Sequence, residues 1–124
     1  MENKHNCTIL VVDDEVVVRD TLKKILIDEG FKVLVANDGG TAISLSENND
    51  IDIALLDIRL PDISGDKVFE KIKALRPHVK TVMMTAYVVE EQVRSALREG
   101  AYTCLHKPFE ISVLLDIINE LKCK

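Results

Sequence analysis

The sequence predicts an α/β fold, five parallel strands alternating with five helices, and two observations carry that expectation. Five short apolar runs recur along the 124 residues, and four of them are apolar throughout rather than alternating in and out. Runs of that kind suit parallel strands covered on both faces. Between them lie stretches whose apolar residues return every three or four positions, the spacing of helices laid against a sheet.

The first run, Ile9–Val12, leads into a helical stripe of Val18, Leu22, Ile25 and Leu26 that ends at Gly30, where a helix C-cap falls. Val33–Ala36 is the second run. Asn37-Asp38-Gly39-Gly40 behind it reads as turn chemistry only, and Thr41–Glu47 as a weaker helix with Ala42 and Leu45 inward. The third run, Ile53–Leu56, precedes a helix with Ser64 as N-cap and Val68, Ile72 and Leu75 on one face; Pro77 prevents its extension. Val82–Met84 is followed by the stripe Val89, Val93, Ala96 and Leu97, closed by Gly100. Ala101–Leu105 is the least pure strand, and Leu114, Ile118 and Leu121 mark the last helix. Right-handed crossovers then give a flavodoxin-like (βα)5 doubly wound sandwich with strand order 2-1-3-4-5. Its switch point lies between strands 1 and 3, and ligands of such folds bind outside the carboxyl ends of the strands.

Length and composition set further limits. A chain of 124 residues fits one domain, here residues 1–124, and 47% apolar residues are enough for a core. Sixteen basic against 21 acidic residues give a net charge of −5, with no basic cluster of the kind that binds phosphate backbones, so direct nucleic-acid binding is not expected. Cys7, Cys104 and Cys123 are an odd number without a C-x-x-C pair, which reads as reduced thiols in a cytoplasmic protein. No stretch approaches the ~20 apolar residues that cross a bilayer, and the polar start is no signal peptide, so no membrane association is expected.

Chemistry concentrates where the strands end. Strand 1 runs into Asp13-Asp14-Glu15, strand 3 into Asp57, strand 4 into Thr85-Ala86 and strand 5 into Lys107-Pro108. Each has an ordinary reading alone: a cap, a turn, a satisfied hydroxyl, a surface charge. Together they converge, because strands 1 and 3 are neighbours and bring three carboxylates to the switch point. Crowded carboxylates are hard to keep ionised without a compensating charge, and a hard divalent cation such as Mg²⁺ supplies it while leaving positions for phosphate oxygens. A carboxylate nucleophile beside such an ion, flanked by a hydroxyl and an ammonium, suits phosphoryl transfer.

These residues resemble the receiver domain of two-component response regulators. The motifs are Val12-Asp13-Asp14-Glu15, Leu56-Asp57-Ile58-Arg59-Leu60-Pro61, Gly65, Met84-Thr85-Ala86 and Lys107-Pro108-Phe109, and the match runs roughly from Thr8 to Leu121. The resemblance implies that Asp57 accepts the phosphoryl group as an acyl phosphate, from a sensor histidine kinase or a histidine phosphotransfer protein. It implies Asp14 as a direct Mg²⁺ ligand, Asp13 as one acting through water, and the backbone carbonyl of Arg59 as a further ligand. Thr85 and Lys107 would close on the phosphoryl group, and the peptide before Pro108 would be cis. The surface of helix 4, strand 5 and helix 5 would carry output or homodimerisation, with the chain catalysing its own phosphorylation and dephosphorylation rather than acting as an enzyme on other molecules.

Two departures accompany the resemblance. The family's switch aromatic, three residues before the lysine, is here Cys104, with Tyr102 on the same strand face but not at the same depth. Arg59 and Tyr87 flank the path of hydrolytic water in the family, and a guanidinium and a phenol there predict slow self-dephosphorylation. Three other functions compete. An aspartyl-phosphate hydrolase would place a second acid where Arg59 stands. A flavin carrier would avoid the acidic loop after strand 1. A receiver-like scaffold without chemistry would not need the intact constellation.

Overall fold

The structure is a computed structural model and describes residues 7–86 and 90–122. Strands and helices alternate from end to end: β1 (Thr8–Val12), α1 (Val16–Asp28), β2 (Lys32–Ala36), α2 (Gly39–Asn48), β3 (Ile53–Asp57), α3 (Gly65–Leu75), β4 (Lys80–Thr85), α4 (Glu90–Arg98), β5 (Thr103–His106) and α5 (Ile111–Leu121). The sheet is wholly parallel in the order β2-β1-β3-β4-β5, so the expected topology and switch point are present.

The continuous apolar runs end up where their composition requires. Ile9–Val12 and every residue of β3 are buried, because helices cover both faces of the central strands. Alternate side chains of one strand feed two cores. Ile9, Val11, Ile53 and Leu55 pack with Leu22 and Leu26 of α1 and with Leu114 and Ile118 of α5. Leu10, Val12 and Leu56 pack on the other face with Ala42 of α2, Val68 and Ile72 of α3 and Ala96 of α4. Among the described residues no helix is long and apolar enough to cross a membrane.

Some boundaries and faces differ from the sequence reading. Strand β5 begins at Thr103 rather than Ala101, because the Ala101 N–H donates to the Ala96 carbonyl and so completes the turn that closes α4. That turn and its counterpart after α1 use Gly100 and Gly30 at positive φ, as expected of the two C-caps. Leu75 and Leu97, expected on inner faces, lie in the last turns of their helices and are 42% and 40% exposed. Ser64 occupies the N-cap of α3, but its hydroxyl makes no capping bond. Val89 of the α4 stripe lies outside the described residues, and so does Tyr87. The expectation of three reduced thiols is corrected at Cys7, which is buried at the foot of β1 and disulfide-bonded, while Cys104 is free. Pairing depends on what the fold brings beside a cysteine, which spacing along the chain does not reveal.

Two charged residues fasten α2 to the segment around α3. Arg76 donates from Nε to the Ser46 carbonyl (3.0 Å) and from Nη2 to the Glu47 carbonyl (3.3 Å), and it pairs with Asp50 at 3.0 Å. At the other end, Asp62 accepts the N–H groups of Gly39 and Gly40, each at 2.8 Å. A cation thus sits at the C-terminus of α2 and an anion at its N-terminus, the arrangement that complements a helix dipole.

Candidate functional site

The carboxyl ends of β1 and β3 are adjacent; Asp13 follows β1 and Asp57 ends β3, and the backbone holds both. Asp13 is fully buried; its N–H donates to Ala36 of β2, and its Oδ1 accepts the Glu15 N–H at 2.9 Å. Arg19, one turn into α1, donates to the Asp13 carbonyl at 2.9 Å and ties that loop to the helix. Asp57 is 4% exposed, and its Oδ1 accepts the Arg59 N–H at 3.2 Å. Asp14 projects to the open side. One carboxylate oxygen from each of Asp13, Asp14 and Asp57 lies within 4.8 Å of the others.

Lys107 reaches this cluster from the end of β5. Its Nζ donates to Asp13 Oδ2 at 2.5 Å and to Asp57 Oδ2 at 3.2 Å, with Glu15 Oε1 at 3.5 Å. The lysine is placed by its backbone, since its N–H donates to the Thr85 carbonyl at 2.7 Å; the following peptide to Pro108 is cis, as expected. Thr85 itself is fully buried at the end of β4, one residue before Ala86. Asp14, Glu15, Asp57, Arg59, Ala86 and Lys107 line a cleft of about 190 Å³.

Burial pushes the Asp57 carboxyl up to about 6, with the Asp13 charge adding to it, while Lys107 and the Arg59 N–H pull the other way. Burial also works against the Lys107 ammonium, but its bonds and charge interactions with Asp13 and Asp57 outweigh that and hold it above the ordinary lysine range. Three carboxylates against one ammonium leave negative charge uncompensated. Hard oxygen donors at this spacing, open on one side, fit a hard divalent ion that keeps several waters.

The structure therefore brings Asp13, Asp14, Asp57 and Lys107 together and sets Arg59 on the wall of the same cleft. Arg19 and Asp62 were not singled out from the sequence. Arg19 sits on the first turn after the acidic loop, a spacing consistent with reaching back, whereas nothing near Asp62 in sequence points to the start of α2.

Comparison with known proteins agrees with this geometry. A sequence model of the response regulator receiver domain matches residues 9–119. A cyclic di-GMP phosphodiesterase of Thermotoga maritima is 37% identical over 116 residues, covering 93% of this chain but 31% of that protein; the chain spans under a third of that relative's length. A CheY-like receiver domain protein from Methanospirillum hungatei superposes with a TM-score of 0.89 at 38% identity, covering 92% of this chain and 91% of that one. The response regulator TrrA of Thermotoga maritima, solved in complex with Mg²⁺–BeF, gives 0.83 at 31% identity over 93% and 98% of the two chains. Strand order, acidic cluster and matched residues converge, and the chain belongs to the response regulator receiver domain family.

Proposed function

We propose that Asp57 is the phosphoacceptor of this receiver, taking a phosphoryl group from the phosphohistidine of a sensor kinase or phosphotransfer protein. The observation that carries this reading is the Asp57 carboxylate at the end of the central strand, with Asp13 and Asp14 beside it and Lys107 Nζ 3.2 Å away. A carboxylate oxygen of Asp57 forms the new bond to phosphorus as the bond from phosphorus to the donor nitrogen breaks. Lys107 offsets charge on the phosphoryl oxygens, and Thr85, brought alongside from β4, supplies a hydroxyl to them. Asp13, Asp14, Asp57 and the Arg59 carbonyl hold Mg²⁺, which when bound offsets charge on the phosphoryl oxygens and orients them. No second acid stands two residues after Asp57 to protonate a leaving group, which favours a phosphoacceptor over a hydrolase acting on separate substrates.

The surface beside the cleft supports a protein donor. Glu15, Ala86 and Lys107 also border a largely apolar groove of about 440 Å³ with Val17, Thr21 and Phe109, and Val17 is 77% exposed. Residues 1–124 form a single receiver domain with its core from about 8 to 121. It works in the cytoplasm and signals through α4, β5 and α5 to an output domain or a second copy. The test is to incubate the protein with acetyl phosphate and Mg²⁺ and follow the added phosphate by intact mass. Wild type gains it and Asp57→Asn does not; equal labelling of the variant sinks the assignment.

A further inference from the structure

We propose that Asp62 is a positioning residue for the acidic site, pinning the loop after Asp57 to the start of α2 and thereby fixing the backbone of Arg59. The proposal rests on the reading of Asp13, Asp14, Asp57 and the Arg59 carbonyl as the Mg²⁺ ligands.

The loop is fixed at its base. The Ile58 N–H donates to the Met84 carbonyl at 3.0 Å, and the Gly65 N–H returns to the Ile58 carbonyl at 2.7 Å. The base is tight: a Cβ on Gly65 would stand 2.1 Å from the Asp57 carbonyl oxygen. The far side is fixed by Asp62. Its Oδ1 accepts Gly39 N–H (2.8 Å) and Ile63 N–H (2.9 Å), and its Oδ2 accepts Gly40 N–H (2.8 Å). Gly39 permits the approach, since a Cβ there would lie 2.7 Å from Val68 Cγ2 and 3.3 Å from Asp62 Oδ1.

Only Arg59, Leu60 and Pro61 run from the base to the Asp62 anchor, and the proline ring locks one of their dihedrals. A three-residue path held at both ends has little freedom, so the orientation of the Arg59 peptide depends on where Asp62 is held. Ligand orientation set by outer partners is worth 10- to 100-fold in metal affinity in well-studied sites.

The same helix provides the control. Asp38 also carries a carboxylate and also caps α2, but the bond it makes, accepting the Thr41 N–H at 2.8 Å, stays within the helix's own first turn. Asp62→Ala and Asp38→Ala each remove one negative charge and weaken one end of α2, and only the first frees the loop.

The experiment is calorimetric titration of Mg²⁺ into wild type, Asp62→Ala, Asp62→Asn and Asp38→Ala, with urea unfolding of each without metal. Wild type binds Mg²⁺, Asp62→Ala loses roughly tenfold in affinity, and Asp38→Ala stays near wild type although both alanine variants are destabilised. Asp62→Asn, which retains one acceptor oxygen, falls between and carries the test if the alanine variant does not fold. Undiminished affinity in Asp62→Ala, or an equal loss in Asp38→Ala, overturns the proposal while the ligand set stands. Absence of binding by wild type overturns the ligand set and the proposal with it.

Discussion

At the scale of single residues, the cleft holds a carboxylate whose ionised form the fold disfavours. Asp57 has a folded-state pKa of about 6 against an ordinary 3.8, so its ionised form is disfavoured in the fold. Between those two values the unfolded chain has already released the proton that the folded chain keeps. Stability therefore falls as pH rises through that window, and the penalty is complete above about 6. In metal-free protein, Asp57→Asn removes the penalty. The variant is expected to match wild type at strongly acidic pH and to exceed it by up to about 3 kcal/mol at neutral pH. Urea melts with a chelator across that range measure it, and a variant less stable than wild type at neutral pH contradicts the assigned direction.

At the scale of elements, the helices are both core and site furniture. Arg76 closes α2 through the Ser46 and Glu47 carbonyls, about 10 Å of helix from the Asp62 end at about 1.5 Å per residue. Arg76→Ala leaves those carbonyls without their charged donor and is expected to cost about 1–2 kcal/mol, with Mg²⁺ affinity unchanged. Thermal unfolding beside a metal titration tests both halves, and a loss of affinity equal to that of Asp62→Ala breaks the distinction between the two ends. Helix α1 contributes differently, through side chains it leaves outside: Val16 and Val17 are 57% and 77% exposed. Val17→Asp is expected to slow transfer from a phosphohistidine protein about tenfold, a loss of roughly 1.4 kcal/mol. Labelling by acetyl phosphate should be untouched. Equal slowing with both donors places the effect in the chemistry rather than in docking.

At the scale of the whole molecule, the question is how an event at the cleft reaches α4, β5 and α5. The Thr85 carbonyl accepts the Lys107 N–H, so a displacement of Thr85 is passed to the end of β5 directly. Cys104 stands half-buried where the family has its switch aromatic, its thiol pushed up by burial, and it has no ring to turn inward. Tyr102 is held elsewhere, 46% exposed with its hydroxyl on Glu120 of α5 at 2.5 Å. Shifts of β5 are therefore expected to reach α5 through the backbone and through that bond. A Mg²⁺–beryllofluoride adduct is expected to alter amide exchange in β5 and α5, and unchanged protection there refutes the coupling. Population shifts worth 1–3 kcal/mol are the usual scale of such couplings.

The sequence by itself determined the strand order, the two-sided burial and the acid-rich edge. Apolar continuity in β1 and β3 is a local signal of strands covered on both faces, and side-chain chemistry at strand ends is readable wherever topology makes those ends neighbours. Asp13, Asp14, Asp57 and Lys107 were legible for that reason. Tertiary structure alone decided what depends on contacts between distant segments. Asn37-Asp38-Gly39-Gly40 reads as a simple turn, yet two of its N–H groups receive Asp62 from 22 and 23 residues away. The exposure of Leu75 and Leu97, the bond at Cys7 and the two-ended fastening of α2 belong to the same class. Periodicity reports which face a residue shares with its neighbours on the chain; which groups meet across the fold is fixed only when the layers close on one another.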